Sequence, residues 1–289
     1  MIQRRHLTLA ATMAVALSPV RGLAAVPQPA QWQQLETAAQ GRLGACILDT
    51  ATGQMHGHRA DERFMMLSSF KLLASALVLA RADRGQESIE RRITYSKHDL
   101  VTYSPVTEKH AGTPDGMSLA GLCEATITTS DNTAANLILA SYGGPEALTR
   151  FARELGDDST RLDRNEPGLN TGTAAALLDT TTPRAMALTL QKLLLGDALS
   201  PVSRQRLQQW LVGNTTGDKR LRAGLPASWR VGDKTGTNRT DANDIGIAWP
   251  ANGRAPLIIT AYLADSSADS TTRDATLAGV ARLAASLVA

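Results

Sequence analysis

Ser68-Ser69-Phe70-Lys71-Leu72-Leu73 opens a run in which the apolar residues Leu72, Leu73, Ala76, Leu77 and Ala80 fall at i, i+1, i+4, i+5 and i+8. That spacing predicts a helix with one face against a core, stopped at Gly85. Ser68 then stands at the helix mouth, and Lys71, three residues on, shares its face. A hydroxyl alone is a weak nucleophile, and a neighbouring amine able to shed its proton is one way to activate it. Burial and the positive end of the helix dipole both disfavour a charged lysine at this place. Backbone N–H groups at the same terminus suit a developing oxyanion. With Ser and Lys each at roughly 6–7% of residues, a chain of this length contains about one S-x-x-K by accident. The motif therefore carries weight only if the chain supplies the other parts of an acyl-transfer site.

Outward from this helix the pattern divides in three. Before it, Gln28 to Gln40 has helical composition, Arg42 to Asp49 reads as a strand ending at Ala51-Thr52-Gly53, and Gln54 to His58 returns as its hairpin partner. From Leu67 to about Trp210 successive helices are expected, punctuated by Gly143-Gly144-Pro145, Pro167-Gly168, Pro183 and Pro201. Beyond Asn214 the alternation is strand-like again at Trp229–Thr237, Asp244–Trp249 and Leu257–Leu263, followed by a helix from about Thr271 to Val288. The fold class is α/β (α+β): a five-stranded antiparallel sheet built by both chain ends, residues 26–66 and 212–289, flanked by helices. Residues 67–211 form an inserted all-α domain, and the cleft between the two parts is the natural place for a site.

The N-terminus reads differently. Arg4-Arg5 precede an apolar stretch from Leu7 to Leu17 and the small residues of Gly22-Leu23-Ala24-Ala25, which is the layout of an export signal over residues 1–25. The Arg4-Arg5 pair is compatible with twin-arginine export as well as with the ordinary route. A soluble, monomeric protein of the periplasm or the medium is expected, with no membrane partner in the mature form. The signal holds Arg4, Arg5 and Arg21 and no acid; taking these three from 30 Lys and Arg leaves 27, against 27 Asp and Glu. A neutral mature chain carries no nucleic-acid footprint. Cys46 and Cys123 could pair in an oxidising compartment, but both sit in apolar patterns that favour buried free thiols. His56-Gly57-His58 puts two histidines on one strand face without a second ligand pair elsewhere, so exposed hairpin residues are expected and no metal.

Three further segments bear on acyl transfer. Ser130-Asp131-Asn132 separates an apolar helix, Leu119 to Ile127, from another beginning near Thr133. Asp131 is assigned to capping; Ser130 could hold a mobile proton, and the Asn132 amide could bind a substrate carbonyl. Arg164-Asn165-Glu166-Pro167-Gly168-Leu169-Asn170 is a loop whose Glu166 and Asn170 could hold and activate a water. Lys234-Thr235-Gly236-Thr237 lies on an expected strand, with a lysine and hydroxyls suited to a carboxylate-bearing ligand and a glycine for close backbone approach.

In order and spacing, S-x-x-K, S-D-N, the loop glutamate and K-T-G resemble the class A serine β-lactamases over nearly the whole mature chain. Tyr103-Ser104-Pro105-Val106-Thr107, Asp179-Thr180-Thr181-Thr182-Pro183 and Asn214-Thr215-Thr216-Gly217 add to the resemblance. It implies that Ser68 is acylated by a β-lactam carbonyl, with Lys71 in the activating proton network, and that Ser130 relays a proton to the departing nitrogen. The backbone N–H groups of Ser68 and Thr237 would form the oxyanion hole, and Glu166 with Asn170 would hold the hydrolytic water. Lys234, Thr235, Gly236 and Thr237 would line the carboxylate end of the substrate, Asn132 would take its side-chain amide, and Tyr103 would wall the cleft. The resemblance further implies an Arg164–Asp179 ion pair closing the glutamate loop and a basic residue behind the K-T-G strand, Arg220 or its neighbour Arg222. No cofactor is implied, and the partner is a small-molecule β-lactam. It leaves open whether Lys71 or Glu166 is the acylation base.

The chain departs from the family pattern at three places. Ser75 stands where a cysteine often bridges to the counterpart of Cys123, so that disulfide is expected to be absent. Ala174-Ala175-Ala176-Leu177-Leu178 is unusually apolar for the glutamate loop, and Asn238 to Asn243 is an unfamiliar segment bordering the cleft. Two rival functions use the same fold: a penicillin-binding D,D-peptidase, and a non-hydrolytic β-lactam sensor. Both lack a positioned deacylating base, and Glu166 speaks against them.

Overall fold

The structure is a computed structural model that describes residues 26–251 and 253–288. The expected export signal lies outside the described residues. Among those described, no helix is long and apolar enough to cross a membrane.

The chain enters through helix α1 (Pro29–Ala39), strand β1 (Arg42–Asp49) and strand β2 (Met55–His58). After β3 (Phe64–Met65), a 3-10 turn over Leu67–Ser69 runs directly into α2 (Phe70–Asp83). The middle continues as β4 (Arg92–Ile93), β5 (Met117–Ser118), α3 (Leu119–Thr128), α4 (Asn132–Ser141), α5 (Pro145–Glu154), β6 (Thr180–Thr181), α6 (Pro183–Leu194) and α7 (Pro201–Val212). The short α8 (Leu221–Gly224) leads to β7 (Arg230–Thr237), β8 (Ala242–Trp249), β9 (Leu257–Ala264) and the closing α9 (Ser270–Ser286).

The main sheet has five antiparallel strands in the order β2-β1-β9-β8-β7. Both chain ends thus meet in its middle, where Arg42 pairs with Ala264 and Asp49 with Leu257. Strand alternation divides the side chains between two cores. Cys46, Leu48, Ile245, Ile247, Ile258 and Tyr262 join the core of the helical middle. Leu43, Ala45, Ile47, Ile259, Ala261 and Leu263 face α1 and α9, meeting Trp32, Leu277 and Val280. β7, which carries Lys234 to Thr237, is left at the sheet edge.

Two differences from the sequence expectation have physical causes. The helical middle is not purely α: β3 pairs with β6, and β4 with β5, each over two residues. Pairings this short leave no alternation to read. α2 is buried from Phe70 through Ala80 rather than along one stripe, because α3, α4, α5 and α7 surround it. Its polar positions, Lys71 and Ser75, are therefore buried too.

Cys46 and Cys123 are buried free thiols, their pKa values pushed up by burial to about 11 and about 12. Ser75 lies beside Cys123. His58 is not the exposed hairpin residue expected: it is half-buried, stacked on Trp32 at 6.2 Å, with Nε2 3.3 Å from Glu36. Among the described residues no cluster of three metal-ligating side chains occurs.

Candidate active site

The 3-10 turn that precedes α2 brings the strand-like entry of the chain into the helix through Leu67, whose φ of +49° is unusual for a branched residue. The surroundings over-determine this turn. The Asn243 side-chain amide donates to Met65 O at 2.8 Å and Met66 O at 3.0 Å, and the Ser69 hydroxyl donates to Met66 O at 2.6 Å. Gly236 makes the close approach of β7 possible, since a Cβ there would stand 3.0 Å from Leu67 Cβ and 3.2 Å from Ser68 N. The nucleophile turn and the K-T-G strand are thereby locked together.

Helical spacing sets the Lys71 ammonium against Ser68, with Nζ 2.9 Å from the hydroxyl oxygen. Lys71 Nζ also donates to Ser130 O (2.8 Å) and Asn132 Oδ1 (2.5 Å), approaches Ser130 Oγ at 3.3 Å, and lies 3.0 Å from Glu166 Oε1. Five oxygens face a group with three hydrogens, so the network has room for the amine to exchange its proton. Burial lowers the Lys71 pKa, opposed by the carboxylates of Glu166 and Asp131. The Ser68 hydroxyl donates to Glu166 Oε1 at 3.3 Å.

Glu166 is positioned from two sides. Asn136, one turn beyond Asn132 on α4, accepts from Glu166 N and donates to Glu166 O, both at 2.9 Å. Asn170 Nδ2 donates to Glu166 Oε2 at 2.5 Å, while Asn170 Oδ1 is buried without a partner. Asp179 closes the loop: its Oδ1 accepts from Asp163 N (2.8 Å) and Arg164 N (2.9 Å), and its Oδ2 from Arg164 Nε (2.6 Å). The apolar 174–178 stretch contributes a surface 3-10 turn, with Leu177 left exposed.

Across the cleft, Lys234 is fully buried and reaches Ser130 Oγ at 3.1 Å and Thr235 O at 2.8 Å. Burial and the nearby Lys71 charge push its pKa down to about 7, partly opposed by Asp233 and Asp244. Arg220 runs behind β7, donating to Gly236 O (2.9 Å), Asn243 O (2.8 Å) and Thr237 Oγ1 (2.8 Å), and is anchored by Asp274 at 2.7 Å. Arg222 pairs instead with Asp233 at 2.5 Å. Both arginines thus contact β7, but only Arg220 reaches its cleft end at Gly236 and Thr237.

Ser68, Tyr103, Ser130, Asn132, Asn170, Thr235, Gly236 and Thr237 line one cavity of about 310 Å³. Lys71, Glu166, Lys234 and Arg220 stand behind its wall. Asp131 caps α4 through Ala134 N and holds Val106 N and Thr107 N, as its assignment to structure requires. Sequence reading gave no role to four contributors: Thr216, which lines the cavity and bonds Thr235 at 2.5 Å, Asn136, Asn243 and the left-handed Leu67. Asn136 had a usable signal, its i+4 spacing from Asn132 on one helix face. Within the unfamiliar 238–243 segment, Asn238 caps the β7–β8 turn through Thr240 N and Asp241 N and reaches Asn170 O at 3.3 Å.

A serine flanked by two buried lysines and a buried glutamate, on a cleft with a hydroxyl-lined strand, defines a serine acyl-transfer enzyme. The sequence matches the profile of the β-lactamase enzyme family over residues 29–288. It is 48% identical to β-lactamase L2 of Stenotrophomonas maltophilia over 266 residues, covering 92% of this chain and 87% of that one. To β-lactamase OXY-2 of Klebsiella oxytoca it is 46% identical over 250 residues, covering 86% and 85%. An ancestral (GNCA) class A β-lactamase superposes with a TM-score of 0.86 at 61% identity, covering 88% of this chain and 97% of that one. The putative class A β-lactamase PenP of Rhodopseudomonas palustris gives 0.85 at 57%, again over 88% and 97%. The chain belongs to the class A β-lactamase family and is a hydrolase.

Proposed function

We propose that this protein opens the lactam ring of penicillin- and cephalosporin-type antibiotics in two steps at Ser68. The observation that carries the reading is the position of Ser68 Oγ between Lys71 Nζ, which donates to it at 2.9 Å, and Glu166 Oε1, which accepts from it at 3.3 Å. In the first step Ser68 Oγ bonds to the lactam carbonyl carbon while its proton passes into the Lys71–Glu166 pair. The backbone N–H groups of Ser68 and Thr237 stabilise the oxyanion. The C–N bond breaks as Ser130, in reach of both lysines, delivers a proton to the leaving nitrogen. The substrate carboxylate sits toward Lys234, Thr235 and Thr237, with Arg220 adding positive charge from behind. Asn132 meets the side-chain amide, and Tyr103 covers the cleft mouth.

In the second step a water between Glu166 and Asn170 attacks the ester carbonyl carbon and gives its proton to Glu166. The acyl C–Oγ bond breaks, and that proton passes through the Glu166–Lys71 pair to Oγ, restoring the Ser68 hydroxyl. The unpaired, buried Asn170 Oδ1 is an acceptor such a water would satisfy. A positioned deacylating base favours hydrolysis over the long-lived acyl-enzyme of a D,D-peptidase or a sensor. Residues 26–66 with 212–289, and residues 67–211, act as two domains that hold the cleft between them. The enzyme works as a monomer, exported by its first 25 residues to the periplasm or the medium. A chromogenic cephalosporin tests the reading: turnover is expected, together with an adduct-free Ser68→Ala variant. Absence of turnover by pure folded protein, or an adduct on Ser69 or Ser130 in that variant, overturns it.

A further inference from the structure

α2 borders a second cavity at the end remote from Ser68. This cavity, of about 220 Å³, is lined by Leu77, Arg81 and Arg84 at the end of α2, by Tyr142, and by Arg150 and Phe151 of α5. Three guanidinium groups meet there with one lining carboxylate, Glu154, which Arg84 holds at 3.2 Å. Arg150 has Glu146 at 3.8 Å in an exposed, solvent-screened pair. Arg81 has no side-chain hydrogen bond or ion pair among the described residues, and its Nε is buried without a partner. Glu87 lies close enough to feel the Arg81 charge, but its oxygens are held by Arg91 at 2.8 and 2.6 Å and by Ser88 N at 2.9 Å.

The Tyr142 hydroxyl is the second buried donor without a partner at this cavity. Burial pushes its pKa well above the usual phenol value against the opposing Arg81 charge, so it is an O–H donor at neutral pH. Two unpaired donors and an excess of positive charge around a void are unfavourable unless an acceptor fills it. A planar anion answers both, since a guanidinium fork matches a carboxylate. Leu77, Ala147 and Phe151 supply an apolar wall beside these donors.

We propose that this cavity binds a small organic carboxylate, its anionic end held by Arg81 and Tyr142 with Arg150 at the rim, and its apolar body against Leu77 and Phe151. The site is independent of the catalytic cleft, and the reading does not rest on the assigned reaction. Benzoate, benzamide and inorganic phosphate are the probes, titrated calorimetrically at constant ionic strength. Saturable benzoate binding is expected, with phosphate weaker and benzamide silent. Arg81→Gln is expected to weaken benzoate about tenfold or more, the effect of losing a charge-assisted hydrogen bond, and Tyr142→Phe to weaken it less. Arg150→Gln, at an exposed position, gives the same direction of change without disturbing the fold. Arg220→Gln, in the catalytic cleft, is expected to leave benzoate binding intact. Absence of saturable binding, or binding that survives both Arg81→Gln and Arg150→Gln, overturns the proposal. So does binding lost in Arg220→Gln, which would place the anion in the catalytic cleft, or phosphate binding as tight as benzoate, which would remove the apolar wall from the site.

Discussion

Asp179→Asn separates the two halves of the proposed reaction, because it loosens the loop that carries Glu166 while leaving the turn that carries Ser68 in place. Asp179 is fully buried with φ +56°, a left-handed conformation that Asn adopts more readily than other side chains. The substitution therefore leaves the backbone unstrained and acts through the side chain. Asn Oδ1 can go on accepting from Asp163 N and Arg164 N, but its NH₂ then faces Arg164 Nε, donor against donor, where a 2.6 Å ionic hydrogen bond stood. A hydrogen bond to a charged group is worth about 1.5–3 kcal/mol. The Arg164 side chain is 32% exposed and can rehydrate, which favours the lower part of that range, about 1.5–2 kcal/mol.

If all of that loss appears as displacement of Glu166 from its productive position, deacylation slows by about 10- to 30-fold. Acylation should slow less than deacylation, because Lys71, fixed by α2 with Nζ 2.9 Å from Ser68 Oγ, remains to receive the serine proton when Glu166 is displaced, and Met66 N still donates to the Asp179 backbone oxygen at 2.8 Å. Stopped-flow hydrolysis of a chromogenic cephalosporin then gives a burst of one equivalent followed by a slow steady state, and mass spectrometry finds the acylated protein during that phase. Equal slowing of burst and steady state, or no change in either, refutes the separation of roles.

Glu166→Gln removes the base but keeps the backbone bonds to Asn136; loss of a general base typically slows its step ~10²–10⁴-fold, so a penicillin adduct on the Ser68 peptide should persist, and an unmodified protein would contradict the assigned role. For Lys234, burial lowers the pKa to about 7 in the free enzyme, so the charge that attracts the substrate carboxylate is present below that pH and lost above it. The value of kcat/KM should therefore fall as pH rises through this region, and Lys234→Arg, which stays charged, should lack that limb even if slower at pH 6; superimposable profiles would show that Lys234 is not the titrating group. Asn243→Ala removes the side-chain donor to Met65 O and Met66 O behind the nucleophile turn, leaving Met66 O its bond from the Ser69 hydroxyl. It is expected to lower kcat about tenfold with KM little changed, about 1.4 kcal/mol, the net worth of roughly one buried hydrogen bond; a change confined to KM would argue against a positioning role.

Part of the chemistry was legible in local spacing, while Ser130 and Glu166, which lie on a turn and a loop with no periodicity, stood out only through the resemblance of the whole motif set to the class A β-lactamases. Ser68 and Lys71 are one helical turn apart, Lys234 to Thr237 alternate on a strand, and the β1 and β9 patterns predicted strands that pair in full register. The supports were not legible, because their partners lie far away in sequence. Asn243 reaches back 178 residues to Met65, and β3 finds β6 over two residues only. α2 hid its nature for a related reason: burial on all sides comes from four neighbouring helices, which no periodicity within α2 encodes.

These distant contacts converge on Met66. Its carbonyl accepts from Asn243 and Ser69, and its N–H donates to the Asp179 carbonyl, at the base of the loop that carries Glu166. The strained Leu67 is thus held between β8 and the glutamate loop, and the turn that presents Ser68 shares a backbone support with the loop that presents its base. Main-chain atoms of Met66 and Asp179 make that link, so side-chain patterns are silent about it. Substitutions at either residue that move the backbone should therefore disturb both steps together, whereas Asp179→Asn, which spares it, should disturb chiefly the second.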